Sequence, residues 1–213
     1  MLEVTNLNAG LYENISVKTN GCSSNTISRF VLNPPTISLR TLTDPATCGG
    51  LGTIELTGLV NNYLYNVSYT INSNTVTKPI TSNGSGALII PGLNSGTYTD
   101  IKVETGGCVS NSITTATLTE PTAPVITLGT KADSNSCTVG DGNIQINGLL
   151  ANTSYLVSYE LNGNITSLNL GSDLSGIINV RNLIGGNYTK IKVTSIGSNC
   201  SSNELSATIA NPA

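Results

Sequence analysis

The stretch Leu93–Cys108 reads LNSGTYTDIKVETGGC, and the chain contains two close copies of it. Leu7–Cys22 reads LNAGLYENISVKTNGC, and Leu183–Cys200 reads LIGGNYTKIKVTSIGSNC. In each copy a leucine and a glycine precede a tyrosine, two β-branched residues follow in alternation, and a glycine-containing turn ends at a cysteine. Alternation places every second side chain on one face of a strand. The Gly106-Gly107 and Asn20-Gly21 pairs are turn chemistry. A tyrosine preceding such a strand matches a tyrosine corner, in which the hydroxyl bonds to backbone a few residues upstream. Tyr12, Tyr98 and Tyr188 are the candidates for that role.

Working outward, the rest of the chain repeats as well. Tyr98 and Tyr188 are 90 residues apart, as are Gly96 and Gly186, Tyr69 and Tyr159, and Gly52 and Gly142. The first copy is offset by 86, relating Tyr12 to Tyr98, Cys22 to Cys108 and Asn25 to Asn111. Seven of the eight tyrosines fall into repeat-equivalent sets, and only Tyr63 stands alone, so the periodicity covers the whole chain. The expected organisation is a partial repeat over 1–33, holding the last strands E, F and G of a sandwich, then complete repeats over 34–121 and 122–213. That reading makes the sequence a segment of a longer array.

Each complete repeat predicts seven short strands. In the last one, Val125–Leu128 suits strand A, Asn143–Asn147 strand B and Ser154–Asn162 strand C. Thr166–Leu170 suits C′, Gly176–Asn182 E, Thr189–Ser195 F and Asn203–Ile209 G. Ile144 and Ile146 share one face, as do Tyr155, Val157, Tyr159 and Leu161. One apolar and one polar face per strand is the pattern of a β-sandwich. The predicted class is all-β, with tandem seven-stranded immunoglobulin-like or fibronectin-III-like sandwiches arranged end to end as a rod. Proline at Asn33-Pro34-Pro35, Glu120-Pro121 and Asn211-Pro212 makes the junctions short and stiff.

Composition narrows the function classes. The 213 residues include no His and no Trp, and 10% are charged, with a net charge of −3. Nucleic acid calls for a clustered basic surface, which this balance does not supply. No apolar run approaches the roughly 18 residues that span a bilayer. No Ser-His-Asp set, paired carboxylates or phosphate loop is legible, so the chain reads as a non-enzyme that needs no cofactor. Asp133 and Asp141 flank the A–B loop as calcium candidates, although calcium takes about six to eight oxygens and two carboxylates do not supply them. Otherwise no metal site is expected.

Five cysteines in a chain of this kind fit an oxidising, exported setting. Without histidine or a C-x-x-C motif, neither zinc nor a catalytic thiol is favoured. Within a repeat, Cys48 lies before strand B and Cys108 after strand F, two strands expected to run parallel. A seven-residue strand spans roughly 23 Å, whereas disulfide Cα atoms lie within about 7 Å. The preferred pairing is therefore between repeats, Cys48 with Cys200. Pairing within repeats, Cys48 with Cys108 and Cys137 with Cys200, is the alternative. Under the preferred pairing Cys22, Cys108 and Cys137 are unpaired or belong to bonds with further repeats.

C-x(3)-G-x-I-x-L-x-G-L from Cys48, then L-x-x-G-x-Y, a Gly-Cys turn and a closing Glu-Pro or Asn-Pro together resemble the SprB-type repeats of gliding-motility adhesins. They are also similar to immunoglobulin-like and fibronectin-III-like repeats of other large exported proteins. The chain departs from the SprB type in strand C, where it has Tyr65-Asn-Val-Ser-Tyr69 and no Trp. The resemblance implies export and display as a cell-surface filament, extracellular, with neighbouring repeats as partners and no membrane insertion or nucleic acid. Contacts to a surface or polysaccharide stay open. The expected function is a stiff, non-enzymatic spacer in a bacterial surface adhesin. The alternatives are an immunoglobulin-like fibre or decoration domain of a phage virion, and a non-catalytic module of a secreted hydrolase.

Overall fold

The computed structural model describes residues 2–5, 7, 10–31, 33–136 and 139–211, and all their regular structure is β. The first strands are β1 (Gly10–Ile15), β2 (Lys18–Thr19), β3 (Cys22–Ser23) and β4 (Ile27–Val31). β1 pairs antiparallel with β4, and β2 with β3.

Two compact units follow from the packing of the chain. One comprises Met1–Asp44 with Leu51–Thr119, the other Pro45–Gly50 with Glu120–Ala213. The first contains β5 (Ser38–Thr43), β6 (Gly52–Thr57), β7 (Leu64–Ile71), β8 (Asn74–Thr81), β9 (Leu88–Leu93), β10 (Gly96–Thr105), β11 (Cys108–Val109) and β12 (Ile113–Leu118). Strands β5, β6 and β9 form one antiparallel sheet. β8, β7, β10 and β12 form the other, with β11 also pairing the end of β10. The second unit contains β13 (Thr127–Ala132), β14 (Gly142–Asn147), β15 (Ser154–Leu161), β16 (Asn164–Gly171), β17 (Ile178–Leu183), β18 (Gly186–Ser195) and β19 (Leu205–Ile209). It repeats the plan as β13-β14-β17 and β16-β15-β18-β19.

Alternating burial shows which faces meet. Along β6, Ile54 and Leu56 are fully buried while Thr53, Glu55 and Thr57 between them are not. Tyr65, Val67 and Tyr69 of β7 and Ile101 and Val103 of β10 close the same core from the opposite sheet. Ile144, Ile146, Tyr155, Val157, Ile191 and Val193 do so in the second unit. Three antiparallel strands facing four across one apolar core is the sandwich architecture of immunoglobulin-like and fibronectin-III-like domains.

Strict period-2 reading fails in the strand that begins at the corner tyrosine. Tyr98 and Ile101 both point inward although they are three positions apart, an odd spacing. A register shift between Thr99 and Lys102 resolves the conflict, with Asp100 in the left-handed region at φ 51°. Such a bulge inserts one residue and resets the alternation. The second unit places Lys190 there at φ 50°.

Strand A differs from expectation. The sequence pattern suits Val125–Leu128, and the structure has it at Thr127–Ala132. The amide of Asn203 is the reason. Its Oδ1 accepts the Ile126 N–H at 2.8 Å and its Nδ2 donates to the Ile126 carbonyl at 3.0 Å. Both backbone groups of Ile126 are thus satisfied by a side chain, and β-pairing begins one residue later. Strand G starts at Leu205 instead of Asn203 because Asn203 serves as that clamp. Strand E begins at Ile178, since Gly176 is a turn residue at φ 71°. C′ runs the full Asn164–Gly171.

Candidate functional site

Tyr98 lies at the third residue of β10, so the corner belongs to strand F itself and not to the connection before it. Its hydroxyl donates to the Asn94 carbonyl at 2.8 Å, and the Tyr188 hydroxyl donates to the Ile184 carbonyl at 2.9 Å. Burial pushes both hydroxyl pKa values up, with Tyr69 and Tyr159 adding to the effect. Those neighbours stack edge-on, with centroids 5.5 Å apart for Tyr69–Tyr98 and 5.3 Å for Tyr159–Tyr188. Tyr12 stands half-buried on β1, opposite Arg29.

Cys48 and Cys200 form a disulfide with Cα atoms 5.1 Å apart, across 152 residues of chain. Both intra-repeat alternatives, Cys48 with Cys108 and Cys137 with Cys200, are thereby excluded, because each needs a sulfur already bonded. Cys48 sits in the Pro45–Gly50 loop, which packs as part of the second unit. Three contacts seat the loop there. The Cys48 N–H donates to the Ser198 carbonyl at 2.9 Å, and the Gly49 N–H donates to Glu120 Oε1 at 3.1 Å. The Pro121 carbonyl oxygen lies 3.5 Å from each sulfur. Those are contacts and not hydrogen bonds, because disulfide sulfur carries no proton. Cys200 is fully buried. Cys22 is an exposed free thiol, and Cys108 is half-buried on β11 opposite Thr105. Cys137 lies outside the described residues.

The two calcium candidates do not converge. Asp133 Oδ1 accepts the Ala210 N–H at 2.9 Å and also faces Lys131 Nζ at 2.9 Å. Asp141 Oδ1 accepts from the Ser134 hydroxyl at 2.6 Å and the Asn135 N–H at 2.9 Å. Both carboxyls are held below the usual carboxylate range, Asp133 chiefly by the Ala210 amide and Asp141 chiefly by the Ser134 hydroxyl. Among the described residues no group of three or more His, Cys, Asp or Glu is placed to hold a metal ion.

Several structural side chains were not singled out from sequence. Tyr65 and Tyr155 accept the N–H of Val60 and Leu150 through their hydroxyls, each at 3.1 Å. Ser82 and Ser172 accept the N–H of Tyr63 and Thr153 while donating to the Val60 and Leu150 carbonyls. Ser24, Ser110 and Ser202 accept from Val17, Val103 and Val193 in the same way, so the motif also occurs beside β2 and β3. Their repeat-equivalent spacing was the available signal; the partner in each case is backbone, which no sequence pattern names. Equivalent clefts of about 570 and 340 Å³ border Pro35, Gly58 and Tyr65 in the first unit and Pro124, Gly148 and Tyr155 in the second. Neither lining brings together an acid–base pair or an activated nucleophile.

A comparison with protein-family models finds no match, and neither does one with curated proteins. Solved structures do resemble the chain. A two-domain fibronectin type III segment of chicken tenascin is 18% identical, over 84% of this chain and 99% of that one, with a TM-score of 0.31. A run of titin domains is 14% identical, over 94% and 74%, with a TM-score of 0.31. The BSP domain of a biofilm-associated protein is 16% identical, over 82% of this chain and 30% of that one, with a TM-score of 0.29.

Proposed function

We propose that these all-β sandwich domains are a non-enzymatic spacer segment of a large exported surface adhesin, built to carry tension. The extracellular setting and the role in surface attachment or gliding are part of the same reading. The Cys48–Cys200 bond carries it. When the chain is pulled from its two ends, tension arriving at Cys48 crosses the disulfide to Cys200. The residues between them, which include strands β6 to β18, are left out of the loaded path. In the chain-entropy treatment a crosslink closing a loop this long stabilises by about 5 kcal/mol. An oxidised bond also needs an oxidising compartment, in keeping with export. The side chains with defined tasks serve backbone, as a scaffold requires.

Force spectroscopy on the end-tethered chain tests the load path. Oxidised chain is expected to lengthen by about 500 Å less on full unfolding than reduced chain, at roughly 3.3–3.6 Å per residue. Equal lengthening would overturn the proposal. Labelling of intact cells with antibody to this segment tests the location, and label confined to virions or to the cell interior would likewise overturn it.

A further inference from the structure

The two repeats treat their exposed C′ edges differently. β8 and β16 are edge strands of eight residues, each paired on one side only, with β7 and β15 respectively. Among the described residues no strand pairs their outer sides. An unpaired edge is a template for another strand, and proteins commonly protect it with lysine or proline. β8 reads NTVTKPIT and contains both, Lys78 and Pro79. β16 reads NITSLNLG and contains neither, nor any other charge. The registers match: Lys78 lies opposite Val67 and Pro79 opposite Asn66, as Leu168 lies opposite Val157 and Asn169 opposite Leu156.

Hairpin geometry identifies which amides face outward. The turn Asn162-Gly163 has φ 51° and 80°, and Asn72-Ser73 has 48° and 63°, so both are two-residue turns of the primed kind. Each is closed by a hydrogen-bonded pair, Leu161 with Asn164 and Ile71 with Asn74. Alternation from that pair turns the N–H groups of Ile165, Ser167, Asn169 and Gly171 away from β15. The equivalent positions on β8 are Thr75, Thr77, Pro79 and Thr81. Pro79 therefore removes a donor from the open edge without disturbing the ladder behind it.

We propose that β16 pairs antiparallel with β16 of a second copy of this chain, joining two four-stranded sheets across a two-fold axis. A two-fold at Ser167 sets Ser167 against Ser167, Ile165 against Asn169 and Gly163 against Gly171. No like charges meet along the seam, and both ends close on glycine, which leaves room for the approaching backbone. Ile165, 71% exposed, gains cover from the partner strand. The same docking at β8 meets the missing donor of Pro79 and brings Lys78 near its own symmetry mate. This makes the second repeat the self-associating one and the first its blocked counterpart.

Sedimentation equilibrium on the chain with Cys22→Ser, which removes the exposed thiol, tests the pairing. A reversible dimer is expected, with Ile165, Ser167 and Asn169 amides slowed in hydrogen exchange as it forms. Asn169→Pro is expected to weaken the dimer at least tenfold while leaving thermal unfolding in place, since the first repeat folds with proline there. Lys78→Leu with Pro79→Asn is expected to open a second site and give species larger than a dimer. A chain that stays monomeric up to millimolar concentration would sink the proposal. So would a dimer that Asn169→Pro leaves intact, or one whose β16 amides exchange as in the monomer.

Discussion

The two units agree where side chains face inward or hold backbone, and diverge where they face water. Tyr98 and Tyr188 bond carbonyls four residues upstream, and Asn111 and Asn203 clamp Ile37 and Ile126 through the same pair of bonds. Where the residue type changes at such a place, the atom doing the work does not. Asn83 Oδ1 accepts the N–H groups of Ser85 and Ala87, and Asp173 Oδ1 accepts those of Ser175 and Ile177. Outside, the chemistry is exchanged freely. The bulge residue is Asp100 in one unit, paired with Lys102, and Lys190 in the other, paired with Glu160. On the opposite sheet Glu55 receives Arg40 and Thr41, whereas Gln145 receives the backbone and hydroxyl of Thr130. Exposed pairs of this kind contribute little to stability, so their sign is free to vary. The backbone bulge they sit on is kept.

Matched substitutions test how far that equivalence extends. The largest effect is expected at Gly58 and Gly148, at φ 98° and 93°, where an added Cβ would lie 2.3 Å from the Thr36 and Val125 carbonyl oxygens respectively. Gly58→Ala and Gly148→Ala should each cost about 2–4 kcal/mol in denaturant unfolding, through backbone strain and overlap together. A difference above about 1 kcal/mol between the two would show that the entry to strand A is packed differently in the repeats. Tyr98→Phe and Tyr188→Phe come next. Each removes the hydrogen bond to the Asn94 or Ile184 carbonyl and keeps the ring, for an expected loss of about 0.5–1.5 kcal/mol by calorimetry.

The smallest effect is expected at Asp133, and it depends on pH. The Ala210 amide, and after it Lys131, hold the carboxyl below its ordinary value. A depressed pKa of this kind stabilises above the unfolded value, near 3.9. The contribution disappears as pH falls through the lower folded value. Asp133→Asn should therefore lower the melting temperature slightly at pH 7, and the gap should close as the pH falls below the folded-state value. A gap that persists in acid would assign the effect to packing of the loop instead of its charge.

Much of the scaffold was legible because the repeat supplied internal copies. The inward positions of β6, β7, β14 and β15 follow period 2 without interruption, and periodicity found them. β10 and β18 did not follow it, because one extra residue at Asp100 or Lys190 resets the face, and a bulge leaves no compositional trace. The clamp of Asn203 on Ile126 sets where strand A begins. The residues are visible in sequence, but a contact 77 positions away is not. The cysteines were countable from the start. Their pairing depended on which loop lies beside which turn.

The amino-acid sequence by itself determined the class, the period, the turns and the places of Tyr98 and Tyr188, because each rests on contacts within a few residues or on alternation along one strand. Tertiary structure alone decided what distant pieces of chain do together. It set the bulge that turns Tyr98 and Ile101 to one core, the side-chain clamps that begin strand A, and the seating of Pro45–Gly50 in the second unit beside Cys200. These are meetings of groups from tens of residues to 152 residues apart, and local preference carries no information about them.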